Sequence, residues 1–466
     1  MVSFAFLAAS TLCMVVTNPN NNNNKVTTDT SSMTNPDKSP PKRLPTFRTL
    51  ASSLSDDASP KKEDLATRAT QMTDRATSNT PFTTDEVQGI VNSVQNICPQ
   101  TYNISFEALE ELLQEVAHLS HKDWTVTDAN AQKLGQVLFA KNDDNHQSST
   151  SAGFSQDERA RQLLERILTE GNWDAAAHHA TTRSSDKAST TPWAVLVTGV
   201  NGIRKTTSLY QEWFAPLLQE ALVVPKIGND DKDDVDANFL PTGQNSFFRQ
   251  LDHMIATLCN EDFALLYKLT SELLQLSDEN DSNVDPSPEV VAQYTNLKAA
   301  IFARYRTLSE LLGALLLQEA QLVQSNCLME TSGKDIAMFH YVDHFFPKGY
   351  RKLALHFRIN DLELAKSSVD SRMVREIQTG MSAITSEDVF DVIYSNAGGP
   401  YGSQVLNDIQ ADSDRVWNEV VMNPDTSVGD DWYKATIQIN AHLDKPWTAC
   451  AVLPDGSFGK EYEFKR

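Results

Sequence analysis

The amino-acid sequence predicts an α/β fold in which a parallel sheet is flanked by helices. A short apolar run at 194–197 is rich in β-branched residues and is followed by a glycine turn and a helical segment. A second apolar run at 327–329 follows a long helical region at 288–324. Strands that alternate with helices are typical of crossover units, which join parallel strands.

Changes in composition divide the chain into five parts. They are an apolar N-terminal segment at 1–16, a disordered low-complexity stretch at 17–80, a small helical region at 84–170, the α/β domain at 191–380, and a short C-terminal extension with a β-rich end at 381–466. The low-complexity stretch contains an asparagine run and few large apolar residues, so we expect it to bury too little surface to fold.

Periodicity and turn residues then predict the individual elements. Helices are expected at 84–94, 106–119, 129–139, 157–170, 207–221, 245–258, 261–276, 288–324 (with a break near Gly313), 336–346 and 362–378. Strands are expected at 194–197, 222–225, 327–329, 352–358, 432–440, 448–452 and 458–464, and residues 387–394 fit either type. Residues 172–190 read as a polar linker.

The apolar N-terminal segment resembles the central part of a signal peptide, but no Lys or Arg precedes it. Residues 2–16 are also too few to span a bilayer, and no other segment is apolar enough, so no transmembrane span is expected. The sequence leaves the location open between the cytoplasm, which is favoured, and targeting to a secretory or organellar route.

Net charge and cysteine spacing exclude several classes of protein. The formal net charge is -22, whereas general nucleic-acid binding needs a basic surface. The five cysteines are widely spaced, without a Cys-x-x-Cys pair. We therefore expect reduced thiols and no structural zinc site.

The stretch after the first predicted strand has the layout of a phosphate-binding loop. Gly199, Lys205 and Thr206 match the pattern Gly-x-x-x-x-Gly-Lys-Ser/Thr at the right spacing. A glycine turn lets backbone N–H groups point at phosphate oxygens, and the next helix adds its unpaired N–H groups. The expected nucleotide-binding residues are Gly199, Asn201, Gly202, Arg204, Lys205, Thr206 and Thr207.

Arg204 departs from this pattern, because the second glycine should stand at its position. Its side chain could crowd the loop, or its guanidinium could add a contact to phosphate. Gly202 supplies an additional glycine inside the loop. Whether the loop permits catalysis with Arg204 is left open by the sequence.

The run from Trp193 to about Gln378 resembles a P-loop kinase of the zeta-toxin-like group. The resemblance rests on the loop, on a helix bearing Asp252, on Glu330-Thr-Ser-Gly after a strand, and on a helix with spaced arginines. It implies a P-loop NTPase-type sheet and transfer of phosphate from ATP with Mg²⁺ to a small-molecule acceptor. It also implies that Lys205 and Thr206 hold the β- and γ-phosphates and Mg²⁺.

The same resemblance assigns the remaining roles. Glu330 would orient Mg²⁺ or its water, while Arg372 and Arg375 would neutralise charge on the transferred group. Asp252 is the candidate general base, and its alternative is a helix-surface Asp paired with Arg249. For the two arginines the alternative is a solvated basic helix face.

Three further interpretations stay open. A nucleotide-binding regulator without transfer activity would fit the departure at Arg204. A helical protein-interaction module with a degenerate loop would fit the region at 84–170. His340, Asp343 and His344 share a helix face and could bind zinc, although the glutamate of a His-Glu-x-x-His motif is absent and two phenylalanines beside them suggest packing.

Overall fold

The structure, a computed structural model, describes residues 60–76, 80–97, 106–116, 123–139, 172–185, 191–225, 239–277, 285–346, 348–396, 398–423, 426 and 428–465. The chain divides into two units, Met1–Thr70 and Gln71–Arg466. Only residues 60–70 of the first unit are described, as part of a helix. The apolar segment at 1–16 and the predicted helix at 157–170 lie outside the described residues.

The second unit contains a mixed α/β fold built on a seven-stranded sheet. Its strands are β1 (Trp193–Thr198), β2 (Ser246–Arg249), β3 (Asn326–Glu330), β4 (Arg351–Ile359), β5 (Tyr433–Asn440), β6 (Thr448–Val452) and β7 (Tyr462–Glu463). They lie in the order β2-β3-β1-β4-β5-β6-β7. The first five in this order are parallel, and β6 and β7 are antiparallel.

The helices are α1 (Pro60–Asp74), α2 (Thr84–Ile97), α3 (Phe106–Val116), α4 (Trp124–Phe139), α5 (Trp173–Ser185), α6 (Lys205–Leu209), α7 (Phe214–Ala221), α8 (Leu251–Leu258), α9 (Asn260–Ser277), α10 (Pro288–Leu322), α11 (Ala337–Phe345), α12 (Leu362–Ala383), α13 (Val389–Ser395) and α14 (Leu406–Arg415). In sequence, helices α1 to α5 precede β1, and α6 to α14 lie between β1 and β5. A 3₁₀ turn at Ser403–Val405 precedes α14, and a π-helical turn at Val416–Val421 follows it.

The central strand β1 is buried along its whole length, which explains its uninterrupted apolar sequence. Its neighbours β3 and β4 are buried almost as completely. The predicted strands at 194–197 and 327–329 are therefore present. They pair directly, with Ala194 opposite Cys327 and Val197 opposite Glu330.

Helix α10 is continuous, so the predicted break near Gly313 is wrong. Gly313 instead lets a neighbouring side chain approach, because a Cβ there would lie 2.4 Å from Nε of Arg249. Ser287 caps the first turn by accepting a hydrogen bond from the Val290 N–H. A glycine at a close contact is thus compatible with an unbroken helix.

The sequence places a helix from about residue 245, but the structure has β2 at Ser246–Arg249 and begins α8 only at Leu251. The two phenylalanines at 247 and 248 favour a buried strand, and β2 pairs in parallel with β3. The predicted strand at 222–225 is reduced to one antiparallel bridge between Val223 and Lys434. In both segments, pairing with distant residues determined the secondary structure, and the local periodicity did not.

Two polar segments form helices that were not predicted. Residues 172–190 contain α5, and the stretch predicted to be disordered as far as residue 80 contains α1. Both are rich in Ala, Lys, Glu, Arg or Gln, which favour helix even when few apolar residues are present. The predicted helix at 207–221 is divided into α6 and α7.

The predicted C-terminal extension is part of the same sheet. Strand β5 pairs in parallel with β4 over seven residues, from Leu353 opposite Tyr433 to Ile359 opposite Ile439. Strand β6 then continues the sheet from β5. Residues 387–394, which fitted either type, form most of α13.

Within the described ranges, no helix is both long and apolar enough to cross a membrane. Cys259, Cys327 and Cys450 are buried free thiols. Cys13 and Cys98 lie outside the described residues.

Candidate functional site

The site begins where β1 ends, in the middle of the sheet between β3 and β4. After β1, the chain adds β2 and β3 on one side of this strand. It then crosses to the other side, where it adds β4. Ligands of open parallel sheets bind outside the carboxyl ends of the strands at such a point. The turn after β1 occupies this position.

Two glycines shape this turn. Gly199 has φ 124° and Gly202 has φ 82°, both in the region that L side chains rarely adopt. A Cβ at Gly199 would lie 2.5 Å from the Phe357 carbonyl oxygen, and one at Gly202 would lie 2.6 Å from that of Ala365. The turn is therefore packed against β4 and α12 at positions where only glycine fits.

Lys205 begins α6 and is buried, with 4% of its surface exposed. Its Nζ donates hydrogen bonds to the carbonyl oxygens of Gly199 and Val200, each at 2.8 Å. The same ammonium lies 3.0 Å from Oε1 of Glu330. A buried charge must be compensated, and these three oxygens compensate it.

Glu330 also accepts a hydrogen bond from Thr206, whose Oγ1 lies 2.9 Å from Oε2. Glu330 ends β3 opposite Val197 of β1, so adjacent parallel strands bring the acid beside the loop. Hydroxyl and carboxylate oxygens are the ligands that Mg²⁺ prefers. Thr206 and Glu330 thus supply a hydroxyl and a carboxylate, two oxygen ligands of the kind that a magnesium ion would need.

Arg204 adopts the left-handed conformation that glycine usually supplies, with φ 62° and ψ 32°. Its side chain does not fill the turn, because its guanidinium carbon lies 4.4 Å from the ring centre of Trp447 and 5.4 Å from that of Phe464. The left-handed conformation costs a non-glycine residue about 1–2 kcal/mol. A cation–π contact returns about 0.5–2 kcal/mol, so the two effects are of similar size.

Asp252 lies in the first turn of α8, and its side chain approaches a second loop, the one at 398–399. A Cβ added at Gly399 would lie 3.4 Å from Oδ2 of Asp252 and 3.5 Å from Nδ2 of Asn201, so both side chains border the same glycine. Burial raises the pKa of Asp252, and the nearby charge of Glu330 raises it further.

Three cations counter this rise in the pKa of Asp252, namely Lys298, Arg306 and Arg372. Lys298 and Arg372 also donate hydrogen bonds to the loop at 398–399. The Lys298 ammonium donates to the Gly398 carbonyl oxygen at 2.6 Å, and Arg372 Nη2 donates to that of Gly399 at 3.3 Å. Asp252 thus lies in a largely cationic surrounding.

Arg249 does not pair with Asp252, which corrects the alternative role suggested for that acid. Arg249 ends β2 and forms a buried ion pair with Glu310 of α10. Its guanidinium also lies 4.9 Å from the Tyr341 ring. The expectation that Arg249 and Asp252 share a helix face fails because only Asp252 is helical.

The two arginines of α12 differ in their surroundings. Arg372 is partly buried beside the site and forms no ion pair with the residues that the structure describes. Arg375 is exposed and donates from Nε to the Ser371 carbonyl oxygen one turn earlier. The structure therefore places Arg372 with Asp252 and leaves Arg375 on the solvent side of the helix. Thr207 is likewise exposed.

A buried histidine under the loop was not predicted. His356 lies on β4 opposite Thr198, and its Nδ1 is 2.9 Å from the Thr198 hydroxyl. Its Nε2 is 3.4 Å from Oδ1 of Asp414, and its ring stacks on Trp417. Burial lowers the pKa of His356, against the opposing effect of Asp414. The sequence signal was a histidine inside an alternating strand pattern.

A buried ion pair was also not predicted. Lys298 of α10 lies 2.7 Å from Oε1 of Glu376 of α12, and both side chains are fully buried. The Tyr294 hydroxyl donates to the same carboxylate at 2.5 Å. No local pattern could reveal a pair separated by 78 residues.

The alternative zinc site is not assembled. In the described parts of the chain, no group of three or more His, Cys, Asp and Glu side chains could hold a metal ion. Asp343 instead pairs with Lys352 and accepts a hydrogen bond from Trp432 Nε1 at 3.1 Å.

No protein-family model, no curated protein and no solved structure matches this chain. Any functional interpretation therefore rests on the geometry of the loop and the side chains around it.

Proposed function

We propose that the protein is an ATP- and Mg²⁺-dependent phosphotransferase of the P-loop kinase type that acts on a small-molecule acceptor. One observation carries the proposal: Lys205 and Thr206, consecutive residues of the loop, both contact the carboxylate of Glu330. An ammonium, a hydroxyl and an acid at the end of the neighbouring strand are parts that P-loop enzymes use to hold phosphates and Mg²⁺.

The loop would bind the polyphosphate through backbone groups. The left-handed residues at 199, 202 and 204 turn the chain sharply before α6 begins. Such a turn, followed by a helix N-terminus, directs N–H groups toward one anion. Lys205 would exchange its carbonyl partners for phosphate oxygens, because a flexible side chain can move more easily than the packed turn.

The acceptor would approach from the side of Asp252. Its carboxylate would take the proton from the acceptor hydroxyl, and its raised pKa makes it a stronger base than an ordinary aspartate. Arg372, which has no acidic partner among the described residues, would donate to the transferred group. When bound beside Thr206 and Glu330, Mg²⁺ would supply charge neutralisation at the phosphates.

One observation favours a second function, that of a nucleotide-binding regulator without transfer activity. The Lys205 ammonium already contacts three oxygen atoms, those of Gly199, Val200 and Glu330. If these contacts persist with nucleotide bound, the phosphates would lack their cation and transfer would not occur.

The deciding experiment measures MgATP affinity and transfer of the γ-phosphate across a panel of small hydroxyl compounds. Wild type is compared with Lys205→Ala and with Lys268→Ala, which removes an exposed lysine on α9 far along the chain from the loop. The proposal requires that only Lys205→Ala loses binding and transfer. Equal ATP affinity in all three proteins, or none in any, would refute it. ATP binding without transfer to any compound would support the regulator.

A further inference from the structure

Trp447 connects the C-terminal part of the chain to the loop after β1. It lies just before β6, and its ring faces the Arg204 guanidinium at 4.4 Å. Phe464, which follows β7, faces the same guanidinium at 5.4 Å. A residue of the loop is therefore held by aromatic rings more than 240 positions later in the sequence.

The aromatic surface is itself fixed in place. Trp447 is 9% exposed, and its Nε1 donates to the His442 carbonyl oxygen at 3.1 Å. The Phe464 N–H donates to the Trp447 carbonyl oxygen at 3.1 Å, and the Phe464 ring packs edge-on against Trp213 at 5.2 Å. The guanidinium thus meets a rigid partner, which is what a positioning contact requires.

The backbone of Arg204 sets the start of α6. Its carbonyl oxygen accepts hydrogen bonds from the Ser208 N–H at 2.9 Å and from the Ser208 hydroxyl at 2.8 Å. Its left-handed conformation aims the next residue, Lys205, back toward Gly199 and Val200. If Arg204 changed to a right-handed conformation, both the start of the helix and the direction of Lys205 would change.

We propose that Trp447 is a positioning residue of the loop, which holds Arg204 in the left-handed conformation that glycine would adopt unaided. The cation–π contact replaces the missing glycine of the phosphate-loop pattern. Its effect on the loop is independent of the proposed function, whereas its effect on nucleotide affinity rests on that function.

Four proteins test the coupling: wild type, Trp447→Leu, Arg204→Gly and the double variant. Hydrogen exchange of the Ser208 amide is measured without nucleotide. Trp447→Leu should accelerate this exchange about fivefold, the equivalent of about 1 kcal/mol of lost cation–π energy. In the Arg204→Gly background the same substitution should have no effect, since glycine needs no support at φ above zero.

Two controls separate this effect from general destabilisation. Phe458→Leu removes an exposed ring from the same C-terminal segment and should leave the exchange unchanged. Arg204→Gln keeps a side chain but removes the charge, so it should reproduce the Trp447→Leu acceleration. It also provides a second route to the answer if Trp447→Leu does not fold.

MgATP affinity is then measured on the same four proteins. Trp447→Leu should weaken binding about fivefold, and only when Arg204 is present. The inference is overturned if Trp447→Leu changes exchange equally in both backgrounds or in neither. It is also overturned if Arg204→Gly abolishes binding while Trp447→Leu binds normally, because Arg204 would then contact phosphate directly. A coupled exchange effect with no MgATP binding in any protein would refute the proposed function and leave this inference standing.

Discussion

The ammonium of Lys205 lies 3.0 Å from the carboxylate of Glu330, although the two residues belong to different crossover units of the sheet. Parallel pairing of β1 with β3 places Val197 opposite Glu330, and the loop returns Lys205 to the same edge. The carboxylate of Glu330 therefore offsets the charge of the Lys205 ammonium at this edge of the sheet.

Glu330→Gln should separate nucleotide binding from phosphate transfer. Without Mg²⁺, ATP should bind the variant at least as tightly as wild type, because Lys205 no longer has a carboxylate partner. With Mg²⁺, transfer should fall about 100-fold or more, since the acid that orients the ion is lost. ATP affinity is measured by calorimetry with and without Mg²⁺, and transfer by release of labelled phosphate. A variant that keeps full transfer would contradict the role given to Glu330.

The two arginines of α12 should differ in function although they lie three residues apart. Arg372→Ala should lower transfer about 100-fold, because one preorganised donor to a growing negative charge is worth on the order of 10²–10³ in rate. Arg375→Ala should stay within about twofold, since Arg375 is exposed and bonded to its own helix. Each variant serves as the control for the other in the same transfer assay. Equal loss in both would restore the role that the sequence assigned to the pair.

Replacing Asp252 by Asn should raise the stability of the protein and lower its rate of phosphate transfer. Its pKa is raised by burial, so its charged form is less favourable in the folded protein than in the unfolded chain. Stability therefore falls as pH rises from the unfolded value of about 3.9 through the raised folded value, and Asp252→Asn should be more stable than wild type at pH 7. Transfer should fall by about 10²–10⁴, because the base is lost.

Urea unfolding at pH 5 to 8 and the pH profile of kcat test this prediction together. The acid limb of the wild-type kcat profile should lie above the ordinary range for aspartate, because the base must be deprotonated to act. A less stable Asp252→Asn protein, or one with full activity, would contradict it.

The central strands β1 and β3 and the glycine turn after β1 could be predicted because their signals are local. An apolar run with β-branched residues, a glycine turn and a Lys-Thr pair are all contained in 194–207. The same holds for the run that ends at Glu330. Parallel strands then bring their carboxyl ends together, whatever the sequence of the connecting helices.

The supporting contacts could not be predicted because each joins distant segments. Arg249 meets Glu310 61 positions away, and His356 meets Asp414 58 positions away. Strand β2 was mistaken for helix because its four residues gain their stability from pairing with β3. The role of Arg204 was also hidden, since nothing near it in sequence shows that Trp447 lies over its guanidinium.

His356 should make the stability of the protein depend on pH. Burial lowers its pKa, and the positive charges of Arg358 and Lys205 act in the same direction, while Asp414 opposes them. As pH falls, His356 therefore takes up its proton near pH 6.5 in the unfolded chain and only at a lower pH in the folded protein. Stability should be complete above this pH and decline as pH falls, with a slope of at most about 1.4 kcal/mol per pH unit.

His356→Gln is the variant that tests this dependence. Urea unfolding is compared between the two proteins from pH 5 to pH 8. Subtraction isolates His356 from other titrating groups, among them His179, whose pKa is also lowered by burial. A difference between the two proteins that does not change with pH would contradict the prediction.

Variants of the buried Lys298–Glu376 pair should show that stability and transfer activity can be changed independently. Lys298→Met leaves the Glu376 carboxylate buried without its cation, so it should cost about 3–5 kcal/mol in urea unfolding. Lys298→Met combined with Glu376→Leu removes both charges and should recover most of that loss, because well-packed apolar residues often replace a buried ion pair without cost.

The double variant still lacks the ammonium that binds the Gly398 carbonyl oxygen beside Asp252. We therefore expect it to fold stably and yet transfer phosphate at least about tenfold more slowly, because a reacting group displaced by a fraction of an ångström loses much of its rate. Full activity in a stable double variant would show that the loop at 398–399 needs no support from Lys298.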